Sequence, residues 1–374
     1  MSSWDACKGK IHAAAFDFSS AFDLVDPVML DNKLLQAGIG PKAMIWLRSY
    51  MAGGTMSVRR NKATGTPFRV TRGVRQGSLL GPLLFIILTS DVPLVLDGCT
   101  LYADDTTTWS PTADRLERAA ANMVHTADTL GLALNASKTQ HVVFRGGNKC
   151  LKNAMLTVGD QCIRAQDQLD FLGWSVDNKL NPAPFLNKQI SALKSRLYLM
   201  QRLSAKVPPA VLGPVARAIF NGKASCAVEH SHPVRLEDTN PLPGFTSQQQ
   251  VVHNDMVRVI LRKRRRDHIY REDLAARAGI PSVNALVFSR AAMLAWQAMR
   301  EPAHPAAGEF KSRILTMSTR AAVDAKLRPP AAGSKALAMV SAVRIWNHFP
   351  ELRTVVTRSA AETLIKKLAK KIPF

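Results

Sequence analysis

Two adjacent aspartates, Asp104 and Asp105, lie between Cys99-Thr100-Leu101-Tyr102-Ala103 and Thr106-Thr107-Thr108-Trp109, and they limit this chain more than any other feature. The flanks are rich in β-branched and aromatic residues, which favour strands, so the segment reads as a hairpin with the acids at or beside its tip. Neighbours in a regular strand point to opposite faces. Two adjacent carboxylates can therefore share one ion only where a turn breaks the alternation. Alone, such a pair is most often a solvated turn. A third carboxylate in a matching setting changes that reading.

That carboxylate is Asp17, at the end of the apolar run Ile11-His12-Ala13-Ala14-Ala15-Phe16 and followed by Phe18-Ser19-Ser20-Ala21-Phe22-Asp23. An acid ending a buried strand is costly unless it is paired or holds a cation. Three carboxylates converging on one point repel one another, and divalent ions would turn the repulsion into binding. Two such ions also suit in-line phosphoryl transfer, one activating the attacking hydroxyl and the other neutralising the leaving group.

Phe16 to Asp23 resembles motif A of reverse transcriptases, and Tyr102-Ala103-Asp104-Asp105 resembles their motif C. Between them, Arg72-Gly73-Val74-Arg75-Gln76-Gly77-Ser78-Leu79-Leu80-Gly81-Pro82-Leu83-Leu84-Phe85 resembles motif B of the non-LTR retrotransposon group and is the most specific match. Gly131 to Thr139 resembles motif D, and Phe171-Leu172-Gly173-Trp174 resembles motif E, the primer grip. The five motifs stand in family order.

The resemblance implies an RNA-directed DNA polymerase that extends a DNA primer on an RNA template with deoxynucleoside triphosphates. Its metal site would be Asp17, Asp104, Asp105 and the backbone carbonyl of Phe18, holding two Mg²⁺ with Mn²⁺ as an alternative. Phe22 falls at the steric gate that excludes a ribose 2′ hydroxyl. Gln76 and Gly77 would meet the incoming nucleotide or template base, Gln76 with both a donor and an acceptor, and Gly73 and Gly77 by allowing close backbone approach. Lys138 stands where the family places a lysine that protonates pyrophosphate. Phe171, Leu172 and Gly173 would touch the primer. A core phenylalanine at Phe22 and a solvated lysine at Lys138 are the structural alternatives.

Fifty Lys and Arg against 28 Asp and Glu give a formal charge of +22 over 374 residues. Such a surface attracts phosphate backbones and makes binding salt-dependent, although a ribosomal or membrane-surface protein would share it. Cysteines 7, 99, 150, 162 and 226 show no Cys-x-x-Cys or zinc-finger spacing and read as reduced intracellular thiols. Cys226, His230 and His232 lack a fourth ligand at sensible spacing and read as an incidental group. No apolar run is long enough for a membrane span, and no secretory signal is visible.

The fold class expected is α+β: a right-hand polymerase palm over residues 1–180, an antiparallel sheet with helices on one face, followed by helical regions. Helices are expected over Pro27 to Ala37, Pro41 to Met51 and Asp114 to Leu130, a hairpin from Thr55 to Arg60 and Pro67 to Thr71, a buried helix over Leu83 to Leu88, and a strand at Gln140 to Phe144. Asn181-Pro182-Ala183-Pro184 marks a boundary. A thumb-like region over 181–235 would offer Lys188, Lys194, Arg196, Arg202 and Lys206 to phosphates. A basic, mainly helical region over 236–374 carries Arg262-Lys263-Arg264-Arg265-Arg266, which reads as a nucleic-acid contact, a nuclear localisation signal or a solvated helix end. Trp346-Asn347 resembles a pattern near the ends of some non-LTR polymerase proteins.

Sixteen residues precede Asp17, where the family carries its fingers, so the chain reads as an N-terminally truncated copy with fingers mostly absent. No endonuclease or RNase H segment is recognised, which leaves a separate endonuclease as a possible partner. The alternative function is a catalytically inactive remnant that acts only as a basic nucleic-acid-binding protein. The expected location is intracellular and nuclear.

Overall fold

The computed structural model describes residues 9–52, 54–145, 153–237, 244–267, 277–314, 326–330 and 336–373. Cys7, Cys150 and part of a Pro-, Gly- and Ser-containing segment that reads as a loop, residues 233–247, lie outside the described residues. The chain divides into two compact units between Leu180 and Asn181.

The first unit is organised by strand β1 (Ile11–Phe16), which pairs antiparallel on both sides. Strands β2 (Thr55–Met56), β3 (Arg59–Arg60), β4 (Ala63–Thr64) and β5 (Phe68–Arg69) form an exposed excursion, β2 pairing with β5 and β3 with β4. The expected hairpin therefore carries a second, tighter turn inside it. Strands β6 (Cys99–Tyr102), β7 (Asp105–Ser110) and β8 (Gln140–Phe144) join β1 in a four-stranded sheet of order β6-β7-β1-β8.

Alternation fixes what each face of this sheet does. Ala14 and Phe16 enter the core with Leu116, Ala120, Met123 and Ala127, one stripe of helix Ala113–Thr129. Burying a Leu or Phe of that kind stabilises by about 1.5–3 kcal/mol. The opposite face receives Ile11, Ala13 and Ala15, with Val142 and Phe144 as partners of Ala13 and Ile11. Ile11, Ala13, Val142 and Phe144 are buried and Ala15 is half-buried, so this face opens only toward the end of β1 that carries Asp17.

Helix Pro27–Gln36 starts where Asp26 accepts a hydrogen bond from Val28 N at 2.8 Å, and Gly38 ends it at φ +80°. Helix Pro41–Met51 follows. Helix Leu80–Leu88 corrects an expectation. It buries Leu84, Phe85 and Leu88 but leaves Leu83 and Ile86 more than half exposed, because it packs along one side and a helix buries one stripe.

Strands β9 (Met155–Val158) and β10 (Gln161–Arg164) form one hairpin, and β11 (Gln168–Phe171) and β12 (Trp174–Asp177) another. The second hairpin is tied to β8 by Gln166 N donating to His141 O at 2.8 Å and Asp170 N donating to Gln140 Oε1 at 2.9 Å.

The second unit is helical. The segments expected as two regions, 181–235 and 236–374, form one compact body because their apolar residues share cores. Leu193, Met200 and Phe220 pack with Met256 and Ile280, while Val228 and Val234 pack with Phe288 and Trp346. Helix Val283–Arg300 buries Ala291, Ala292, Ala295 and Ala298, small side chains that let helix Leu337–His348 approach closely. Asn347 locks the latter by accepting from Leu327 N and donating to Leu327 O, both at 2.8 Å.

Candidate active site

Backbone register brings the first two carboxylates together. The last pair of the β1–β7 ladder is Phe16 with Thr106, so one further step sets Asp17 opposite Asp105. Tyr102 pairs with Asp105, leaving Ala103 and Asp104 as a two-residue turn. Ala103 takes φ +55°, a left-handed conformation that costs a non-glycine residue about 1 kcal/mol or more. The turn breaks the strand alternation at the aspartates, as sharing an ion requires.

Asp105 feels the other two acids. Partial burial of its carboxyl, then the charges of Asp104 and Asp17, raise the pKa of Asp105 from its ordinary value, although the residue is exposed. Asp17 Oδ2 is buried and accepts no hydrogen bond. Among the described residues, no three Asp, Glu, His or Cys side chains are drawn in to coordination distance of one point. A hard cation is the ligand that would offset the repulsion among such like charges. A buried carboxylate oxygen that accepts no hydrogen bond and an all-oxygen donor set fit a divalent ion of the Mg²⁺ type.

Lys138 is delivered to this place by the segment after the helix that ends at Thr129. Phe18 forms an antiparallel bridge with Leu134, flanked by Ser19 N to Ala133 O at 2.8 Å and Asn135 N to Asp17 O at 2.7 Å. The Phe18 carbonyl takes part in neither bond. Asn135 then folds the turn, its Oδ1 accepting from Ser137 Oγ at 2.7 Å and its carbonyl from Thr139 N at 2.9 Å. Lys138 Nζ ends 3.5 Å from Asp17 Oδ2, within Coulombic reach but without hydrogen-bond geometry.

The glycine-rich segment lies against the loop after Asp17. Val74 N donates to Phe22 O and Gly73 N to Val25 O, both at 2.8 Å. Gly73 stands at φ +94°, and a Cβ there would come 2.9 Å from Asp23 O. Its close approach is thus to the protein's own backbone. Gly77, at φ +80° with open space around it, is required for conformation. Gln76 Nε2 donates to Asp23 Oδ1 at 2.8 Å. The half-buried Phe22 ring stacks on Phe85 at 4.7 Å between centroids.

Phe171 and Trp174 form the last pair of the β11–β12 hairpin, and its turn residues Leu172 and Gly173 have φ +48° and +75°. Leu172 projects 44% exposed from the tip. Asp170 accepts from Ser175 Oγ and from Gln168 Nε2, which stiffens the hairpin. Between it and Asp17 lies a polar cleft of about 560 Å³, lined by Asp17, Ser137, Lys138, Gln140 and Asp170 among others.

Residues 2–176 match the family described as reverse transcriptase (RNA-dependent DNA polymerase). These residues are a reverse transcriptase domain. The chain is also similar to the probable RNA-directed DNA polymerase from transposon X-element of Drosophila melanogaster, 31% identical over 140 residues that cover 34% of this chain and 15% of that one. The chain thus matches a small part of the length of that relative. Among solved structures it is similar to telomerase from Candida tropicalis in complex with a fragment of telomeric RNA, with 13% identity, TM-score 0.37, and coverage of 77% of this chain and 48% of that one. Telomerase from Candida albicans in a like complex gives 14%, 0.30, 75% and 49%. The family generally works with divalent metal ions on nucleic-acid templates.

Outside the reverse transcriptase domain, the basic residues separate into two groups. Helix Ala183–Ser204 presents Lys188, Lys194 and Arg202 on one exposed stripe with Tyr198, and Arg202 lies 5.9 Å from the Tyr198 ring centre. Exposed Lys206 follows in the next turn. Half-buried Arg196 lies off that stripe and donates to Ala192 O at 3.0 Å. Within the dense run, Arg262 donates to Ser204 O at 3.0 Å and Val207 O at 2.9 Å, and Arg265 clasps Asp255. Lys263, Arg264 and Arg266 are exposed. The run, which read as a nucleic-acid contact, a nuclear localisation signal or a solvated helix end, is thus not uniform: Arg262 and Arg265 are engaged within the protein.

It also passed over Asp23, Asn135 and Gln140. Asp23 and Asn135 sat inside quoted motifs, and Gln140 followed one directly. His232 is bonded on both ring nitrogens, to Thr246 Oγ1 at 2.8 Å and Gln249 Oε1 at 2.9 Å, while Cys226 is exposed.

Proposed function

We propose that this chain is an RNA-directed DNA polymerase of a non-LTR retrotransposon, which adds deoxynucleotides to the 3′ end of a primer paired to an RNA template. The observation that carries it is the register of β1 and β7, which sets Asp17 opposite Asp105 with Asp104 in the adjoining turn. Asp17, Asp104, Asp105 and the Phe18 carbonyl would hold two Mg²⁺, or Mn²⁺. The ions would supply activation of the 3′ hydroxyl and neutralisation of charge on the leaving pyrophosphate.

The chain's own groups do the rest. Phe22, backed by Phe85, stands as the wall against a ribose 2′ hydroxyl. Gln76 and Gly77 border the nucleotide. Lys138 is placed beside Asp17 and is the donor to the leaving group. Leu172, at a hairpin tip stiffened by Asp170, supports the primer terminus. The stripe of Lys188, Lys194 and Arg202 takes phosphates of the template–primer duplex.

Primer extension on an RNA template with the wild-type chain and with Asp104→Asn tests this. Metal-dependent product that disappears in the variant is expected. Salt-sensitive RNA binding without any product from the wild type would leave the alternative, a basic nucleic-acid-binding protein without turnover.

A further inference from the structure

We infer that Asp23 is a positioning residue for sugar discrimination, acting through Phe22; this rests on the polymerase reading above. A gate excludes a hydroxyl only if its ring cannot retreat. The Phe22 ring is stacked on Phe85, but a stack restrains a ring along its normal more than in its plane. In-plane retreat is opposed by the backbone of residues 22–25, and that backbone is held from the glycine-rich segment. Phe22 O accepts from Val74 N and Val25 O from Gly73 N, one bond on either side of Asp23.

Asp23 closes the clasp between them. Its carboxylate accepts from Gln76 Nε2 at 2.8 Å, and its backbone is so near Gly73 that a Cβ there would lie 2.9 Å from Asp23 O. Main-chain bonds at Phe22 and Val25, a side-chain bond at Asp23 and a steric stop at Gly73 thus converge on the four residues that carry the gate. The Asp23 and Gln76 side chains are exposed, so their bond contributes little to folding. Its effect lies in holding the loop in register with the segment that borders the nucleotide. Gln76 thereby links the nucleotide border to the gate through a residue that need not touch substrate.

The test measures kcat/KM for a deoxynucleotide and the matching ribonucleotide in primer extension, with thermal melts confirming that each variant is folded. Asp23→Ala should lower the deoxy-to-ribo preference by about three- to tenfold, the scale of one exposed bond to a carboxylate. Asp23→Asn keeps an acceptor oxygen and should stay near wild type. Gln76→Glu, which sets two acceptors face to face, should lower the preference, and adding Asp23→Asn should restore it, because the asparagine amide then donates to the new carboxylate. In a Phe22→Ala background, Asp23→Ala should change the ratio no further. An unmoved ratio in Asp23→Ala, or an equal drop with Phe22 already removed, overturns the role of Asp23 while leaving the polymerase intact. A wild-type chain that extends no primer overturns the polymerase reading and this inference with it.

Discussion

The acidic cluster of the first unit and the buried amide and imidazole network of the second treat their polar groups differently. In the first, the costly groups sit at an open strand end and are left short of partners: Asp17 Oδ2 accepts no hydrogen bond, and Asp105 is pushed toward its neutral form by partial burial and by its acidic neighbours. In the second, the groups around His232 and Asn284 are closed on their neighbours. His232 is bonded on both nitrogens, and Asn284 accepts from Arg235 N while donating to the carbonyls of Arg235 and Pro373. A satisfied network specifies a shape, whereas an unsatisfied acidic one stores binding energy for a cation.

Removing an acid should break that contrast most sharply. Asp105→Asn is expected to lower primer extension by about a thousandfold or more, the scale of deleting a group that holds transition-state charge. Without divalent ions the same variant should melt slightly higher than wild type, since a repelling charge is gone. Mg²⁺ should raise the melting temperature of the wild type and not that of the variant. A variant that melts lower than wild type in metal-free buffer would mean that the acids stabilise the palm.

Acid should expose the difference next. Burial lowers the pKa of His141 in the first unit, and of His232 and His253 in the second, to about 4 in each case. A base whose folded pKa is depressed binds fewer protons folded than unfolded. Stability is therefore full above the unfolded value of about 6.5 and is lost as pH falls toward 4, by at most about 3 kcal/mol for each imidazole. Burial lowers the pKa of His12 in the first unit and of His230 in the second as well, so with three such groups against two the second unit should open first on acidification, read by hydrogen exchange at amides of each unit. Simultaneous opening at every pH would contradict it.

Truncating the closed network should have the opposite sign to truncating the open one. Asn284→Ala strands the Arg235 amide and is expected to destabilise by about 2 kcal/mol in urea titration. Smallest are the effects on the helix stripe. Lys188→Ser, Lys194→Ser and Arg202→Ser should each reduce the slope of log affinity against log salt by about 0.7–0.9 for duplex binding, while Arg196→Ser leaves the slope unchanged. An equal change at Arg196 would show that total charge, and not the stripe, sets affinity.

What the sequence showed and what it hid follow the range of the interactions involved. Pro27, Pro41 and the glycine after the first helix set boundaries locally, and the helices there fall within a residue of expectation. The strand at Gln140 to Phe144 likewise agrees, and the acids of the hairpin were visible from their neighbours. Long-range pairings were not. Gln76 gave no sign that its amide would meet Asp23, fifty-three residues away, or Arg262 that it would cap carbonyls of a helix ending at Ser204. Helix Leu80–Leu88 reads as uniformly apolar, and only packing decides which of its leucines reach the surface.

Because β1 is paired on both sides, its frame has little freedom. Adding or deleting one residue between Ile11 and Asp17 would carry the acid to the wrong face of the sheet and break both ladders at once. Descendants of this sequence can therefore exchange side chains along that strand, but they cannot change its length. The exposed excursion between Thr55 and Arg69 carries no such restriction, so insertions and deletions in a lineage should accumulate there.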